Sequence, residues 1–264
     1  MKIGLIGIGK MNGAILNGLA SHFPAKDIFI STRSKDKLAS LKELYRVNTG
    51  DNSYVACEAD IIILGVKPYL IKDVLMEIKD YIKDKIIVSI AAAITISDIE
   101  EIVGDKKIVR VMPNTSLEIG SGVCGISFNN KVDKPNQQLI MNIFDKLGTC
   151  YVIDESNMNA LTALSGSGPA YAYMFIEALA DGAVLNGLPR EISYKLACDT
   201  IIGAANMMRV SKRHPGELKD DVCSPKGSTI EAIRALEKTG FRSSVIEAEI
   251  ACFEKLERMA SSKK

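Results

Sequence analysis

The chain has 264 residues, 47% of them hydrophobic, enough for two domains or for one domain with a large appendage. Its 33 Lys and Arg against 32 Asp and Glu leave a formal net charge of +1, so no global charge recruits nucleic acid or an anionic membrane. Two histidines, six scattered cysteines with no Cys-x-x-Cys, and no apolar run of the ~18 residues a spanning helix needs exclude a His-rich metal site and a membrane span; the chain reads as a soluble cytoplasmic protein whose cysteines are mostly reduced core residues.

Residues 1–153 alternate short β-like runs with amphipathic helical stretches. Strands are predicted at Lys2–Gly7, Asp27–Ser31, Ile61–Gly65, Ile86–Ser89, Lys107–Met112, Gly122–Phe128 and Thr149–Ile153, with a weak third strand near Tyr45–Asn48. Helices are predicted over Met11–His22, Lys35–Tyr45, Leu70–Ile82 and Ser97–Val103. This alternation means βαβ units and a mainly parallel sheet with helices on both faces. The runs Ile61-Ile62-Ile63-Leu64 and Ile86-Ile87-Val88 suit central strands buried on both sides.

The first strand ends in Gly7-Ile8-Gly9-Lys10-Met11-Asn12-Gly13. Gly7 allows a tight turn, and Gly9 lets the backbone approach a pyrophosphate seated on the amides that open the helix. The third position of this dinucleotide fingerprint is Asn12, a departure expected to loosen helix against strand. The second strand ends in Ser31-Thr32-Arg33-Ser34 where an NAD site usually carries an acid; two hydroxyls and a guanidinium suit a 2′-phosphate, so NADPH is expected over NADH. Later strands end in Val66-Lys67-Pro68, in Ala91-Ala92-Ala93, whose small side chains leave room for a flat ring, and in Val111-Met112-Pro113-Asn114-Thr115.

After Ile153 the alternation stops, and helices are predicted over Ser156–Leu185, Arg190–Ser211, Ser228–Lys238 and Arg242–Ser261. The first is interrupted by Leu164-Ser-Gly-Ser-Gly-Pro-Ala-Tyr171, which should kink it, because proline lacks a donor and glycine costs about 1 kcal/mol against alanine. That kink reads equally as a backbone shaped around a small ligand or as a notch for helix packing. Small and apolar residues such as Ala197, Ile201, Ala204 and Met208 lie on more than one face, so an interleaved homodimer is expected to bury this half. The segment from His214 to Gly227 reads as a loop; the amides of Gly227, Ser228 and Thr229 then form an anion site at a helix start, with plain N-capping by Ser228 or Thr229 as the alternative.

Taken together the motifs resemble pyrroline-5-carboxylate reductase over essentially the whole chain. They are the Gly7-x-Gly9-x-Met11 turn, Val66-Lys67-Pro68, Val111-Met-Pro-Asn-Thr115, Leu164–Tyr171, Glu177-Ala-Leu-Ala-Asp-Gly182, His214-Pro215 and Ser224-Pro225-x-Gly227-x-Thr229. The resemblance implies an α/β fold: an N-terminal Rossmann-type doubly wound sheet (1–153) followed by an all-helical dimerisation and substrate-binding domain (154–264). It implies reduction of 1-pyrroline-5-carboxylate to L-proline with NADPH, or NADH, in a homodimer that can assemble into a larger ring. It implies that Thr229 bonds the substrate ring nitrogen, that Gly227 and Ser228 help grip the carboxylate, and that Glu155 stands near the substrate. Gly7, Gly9, Lys10, Met11, Ser31, Thr32, Arg33, Asn52, Val66, Lys67, Pro68, Ala91, Ala92 and Asp221 are the expected cofactor residues. Lys226 and Ala93 replace glycines common in the family.

The chemistry fits. A protonated cyclic imine is an electrophile ready for hydride, and such a step needs neither nucleophile nor metal. Two alternatives are a two-domain NADP-dependent reductase of another imine or of a β-hydroxy acid, and a non-catalytic NADPH-binding regulator. A hydroxy-acid enzyme would want a lysine or histidine as acid–base catalyst.

Overall fold

A computed structural model describes residues 1–261. In chain order the first part comprises β1 (Ile3–Ile6), α1 (Lys10–His22), β2 (Ile28–Ser31), α2 (Lys35–Tyr45), β3 (Asn48–Thr49), α3 (Asn52–Glu58) and β4 (Ile61–Leu64). It continues with α4 (Ile71–Ile78), β5 (Ile86–Ser89), α5 (Ile96–Val103), β6 (Lys107–Pro113), β7 (Gly122–Phe128), α6 (Lys134–Phe144) and β8 (Gly148–Val152). The strands form one sheet in the order β3-β2-β1-β4-β5-β6-β7-β8. All pairings are parallel except β6 with β7.

Side-chain alternation along each strand divides the core into two layers. Leu5, Ile61 and Ile63 face one way, against Leu16 and Leu19 of α1 and Ile140 and Phe144 of α6. Ile6, Ile62 and Leu64 face the other, against Val55 of α3, Leu75 and Ile78 of α4 and Ile99 of α5. The continuous isoleucine runs are therefore central strands covered on both sides, as their composition requires.

Three local features differ from the sequence expectation. The third strand is only Asn48–Thr49, because α2 runs to Tyr45 and Arg46 turns the chain back in the left-handed conformation (φ 56°). The run after it is helical: Asp51 caps α3, its carboxylate accepting from Tyr54 N–H at 2.7 Å. Residues 215–222, read as loop, form α10, started by Pro215 and by His214, whose Nδ1 accepts from Gly216 N–H at 3.1 Å. Of the cysteines, all free, only Cys124 is buried and Cys57 is exposed, so most are not core residues. Cys150, opposite Cys124 in the β7–β8 register, has its thiol pushed well above the usual range by hydrogen bonding to Cys124 and by burial.

Beyond the sheet come α7 (Met158–Leu161), a π turn over Thr162–Gly166, α8 (Gly168–Leu185), α9 (Arg190–Ser211), α10 (Pro215–Val222), α11 (Ser228–Lys238) and α12 (Phe241–Ser261). Residues 1–167 with residues 252–261 form one compact unit, and residues 168–251 form a second. The expected kink is the π turn, closed by Ser167 N–H donating to Thr162 O at 3.1 Å. Pro169 has no N–H to offer the Ser165 carbonyl four residues back. Asn114 supplies the missing donor from the end of β6, its Nδ2 lying 3.1 Å from Ser165 O while its Oδ1 accepts from Val123 N–H. Two motifs distant in sequence thus meet, and the break in the helix is docked on the sheet.

In the second unit α8 packs on α9. Little of its apolar surface is covered: on α8 only Ala180 is buried, while Tyr173, Met174 and Leu185 are 63%, 71% and 89% exposed. An apolar cleft of about 430 Å³ lies among Tyr171, Met174, Phe175, Leu236, Phe241 and Val245.

Candidate active site

The carboxyl ends of β1, β2, β4 and β5 surround a cleft of about 630 Å³. It is lined by Gly7, Gly9, Lys10 and Met11 from the first turn, Thr32 and Arg33 after β2, Val66, Lys67 and Pro68 after β4, and Ala91 and Ala92 after β5. Crevices at this edge of a doubly wound sheet, where the strand order reverses at β1, are where such folds bind dinucleotides. Gly7 has φ +81°, and a Cβ there would strike Val66 Cγ1. The turn is thus closed to any side chain at this position. The first amides of α1 have no intrahelical acceptor, and no side chain caps them from Gly9. A negative phosphate is the ligand that such a helix start favours.

Asn12 does not loosen the turn. It is fully buried, and its Nδ2 donates to Gly7 O at 3.1 Å and Ile6 O at 3.3 Å. A Cβ on Gly65 would collide with this carboxamide, so helix and strand approach closely around it.

The hydroxyls at the end of β2 and just after it divide between structure and cleft. Ser31 is buried and its Oγ donates to Asn52 Oδ1 at 2.7 Å; Asn52 Nδ2 in turn donates to Glu77 Oε2 at 2.7 Å. Ser34 caps α2, accepting from Lys37 N–H. Thr32 and Arg33 remain as the groups of this stretch that line the cleft; Ser31 and Asn52 are not among its lining residues.

Glu155 lies on the turn after β8, and its Oε1 accepts from Ile96 N–H at 2.7 Å and from Arg110 NH1 at 3.1 Å. Arg110, on β6, is 3% exposed, and its Nε has no partner among the described residues. The carboxylate that the resemblance put at the substrate is engaged with a buried guanidinium and the first amide of α5, just after the Ala91–Thr95 loop.

In the second unit Gly227 is the N-cap of α11, and no side chain caps the helix. Neither Ser228 nor Thr229 caps it, because they are already the first two helical residues. Gly227 N–H donates to Ser224 O at 3.0 Å, closing the turn. Gly227 is therefore not a free donor, and the open amides are those of Ser228 and Thr229, at the positive end of the helix dipole. Asp221 pairs with Arg213 at 2.6 Å, and this hydrogen bond and the guanidinium's charge hold its carboxyl below the usual range. Lys226 and Ala93 both adopt left-handed backbone, φ 61° and 60°. A glycine would take this conformation without strain, which for an L-residue is about 1–2 kcal/mol.

Comparison with known proteins agrees with this geometry. Residues 2–93 match the model "NADP oxidoreductase coenzyme F420-dependent", and residues 155–259 match "Pyrroline-5-carboxylate reductase dimerisation". The chain is 43% identical to pyrroline-5-carboxylate reductase of Escherichia coli, with 99% of each covered. It is 39% identical to that of Methanosarcina acetivorans, with 96% of each covered. The NADP-bound crystal structure of the Plasmodium falciparum pyrroline carboxylate reductase superposes with a TM-score of 0.90 at 36% identity, covering 98% of each chain. Prephenate dehydrogenase of Aquifex aeolicus, 16% identical with a TM-score of 0.54, shares the fold alone. With both its sheet and its helical unit accounted for, the chain belongs to the pyrroline-5-carboxylate reductase family.

Proposed function

We propose that this chain reduces 1-pyrroline-5-carboxylate to L-proline with NADPH. The observation that carries the reading is the cleft in which Gly7, Gly9, Thr32, Arg33, Lys67 and Ala92 converge, in a chain whose full length follows the reductases. NADPH supplies, when bound, the hydride that reduces the imine. The first turn and the α1 amides hold the pyrophosphate, Lys67 meets phosphate or ribose, and Ala91 and Ala92 leave room for the nicotinamide. The open Ser228 and Thr229 amides hold the substrate carboxylate. The Thr229 hydroxyl orients the ring nitrogen, whose proton comes from solvent. Glu155 acts through Arg110 and α5, holding the Ala91–Thr95 loop in place. The functional division falls between residues 153 and 154.

Oxidation of NADPH on adding pyrroline-5-carboxylate, followed by absorbance, tests the reading. Turnover with a β-hydroxy acid instead would overturn it, and binding of NADPH without turnover would leave a regulator. No lysine or histidine stands in the substrate loop in the place of an acid–base catalyst except the strained Lys226, which favours the imine.

Arg33 is proposed to grip the 2′-phosphate, Thr32 beside it. Arg33→Ala is expected to weaken NADPH by roughly tenfold while leaving NADH within twofold, read as the KM of each cofactor. An equal loss for both would remove the arginine from specificity.

The apolar helices of the second unit are proposed to close a homodimer, consistent with the dimerisation model they match. No helix among the described residues is long and apolar enough to cross a membrane, so a second copy is the natural cover for side chains as exposed as Met174 and Leu185. Light scattering at micromolar concentration should give at least twice the 28.6 kDa chain mass; a monomer would defeat the proposal.

A further inference from the structure

The carbonyls of the Gly7–Gly9 turn are each held from the protein side. Gly7 O accepts from Asn12 Nδ2 at 3.1 Å and from Gly9 N–H at 3.2 Å. Gly9 O accepts from Gly13 N–H at 3.0 Å. Ile8 O accepts from Lys37 Nζ at 2.7 Å, a contact between residues 29 apart in sequence. Lys37 sits in the first turn of α2, where the helix dipole disfavours a cation. It also lines a second cleft, of about 650 Å³, which shares Ile8, Gly9, Lys10 and Met11 with the cofactor cleft. Lys37 borders only the second cleft. The ammonium thus reaches the turn where the second cleft borders it, and it does not line the cleft of Thr32, Arg33 and Lys67.

A peptide group is planar, so the direction of its carbonyl sets the direction of the following N–H. A glycine on one side of that peptide makes its rotation easy. Turned toward the cleft, the Ile8 oxygen would present partial negative charge to a pyrophosphate. We propose that Lys37 is a positioning residue for dinucleotide binding, holding the Ile8 carbonyl out of the phosphate site and adding a cation next to the turn. The proposal rests on the dinucleotide reading of the cleft.

The test is equilibrium binding by calorimetry to wild type, Lys37→Met and Lys37→Arg, with NADP⁺, NAD⁺ and adenosine 2′-monophosphate, which has no 5′-phosphate. Lys37→Met is expected to weaken NADP⁺ and NAD⁺ alike, by roughly tenfold. Adenosine 2′-monophosphate should bind as in wild type, and Lys37→Arg should recover most of the loss. A purely structural role would weaken all three ligands together. That result, or dinucleotide affinities within twofold of wild type in Lys37→Met, would overturn the proposal. Wild type binding neither NADP⁺ nor NAD⁺ would overturn the cofactor reading itself, and this proposal with it.

Discussion

Glu155→Ala is expected to destabilise the sheet unit by about 3–5 kcal/mol, because it leaves the Arg110 guanidinium buried without its counter-charge. The Arg110 side chain is 4% exposed, and among the described residues its Nε lacks a partner and Glu155 is the one carboxylate within ion-pair distance. The substitution also strips the acceptor from Ile96 N–H, the amide that opens α5. The melting temperature should fall on the order of 10 °C by calorimetry. Glu155→Gln keeps an oxygen for Ile96 N–H and should lose distinctly less. If Glu155 instead served only the substrate, Glu155→Ala would raise the KM for pyrroline-5-carboxylate at unchanged stability. A melting temperature within 2 °C of wild type would sink the structural role.

Thr229→Ala is expected to lower kcat/KM for pyrroline-5-carboxylate on the order of a hundredfold, the usual scale for removing one oriented polar group from a reacting centre. Thr229 opens α11 beside Ser228, where the helix has no side-chain cap and its dipole favours an anion. The same variant should bind NADPH as wild type does. Thr229→Ser should retain most activity, as it keeps the hydroxyl. Steady-state kinetics decide the matter: turnover of Thr229→Ala within twofold of wild type would remove the residue from the mechanism.

The two substitutions probe sites that differ in how openly the sequence displays them. Thr229 sits in a compact run, Ser224-Pro225-Lys226-Gly227-Ser228-Thr229, where proline, glycine and hydroxyls mark a helix start in plain view. The pair of Glu155 with Arg110 joins residues 45 apart. No local pattern signals it, because an arginine in a β-run reads as a surface charge until the neighbouring elements bury it. The same holds for Lys37, whose partner is a backbone carbonyl 29 residues away. Ser31 shows the same dependence: at the end of β2, its hydroxyl donates to Asn52, 21 residues away.

Local chemistry along the chain was enough to mark every strand but the third, the glycine turn, the Thr32-Arg33 pair, the kink before Pro169 and the change from alternating elements to helices. Those features depend on side-chain periodicity and on the backbone preferences of glycine and proline, which act over a few residues. Tertiary structure alone decided what became of the polar groups those elements leave over. Asn114 answers the carbonyl that Pro169 cannot serve, Asn12 fills a place that normally wants glycine, and Asp51 starts a helix where the composition showed none. Each is a hydrogen bond or contact whose partner is chosen by packing, and a buried donor or acceptor takes whichever partner the fold brings within reach.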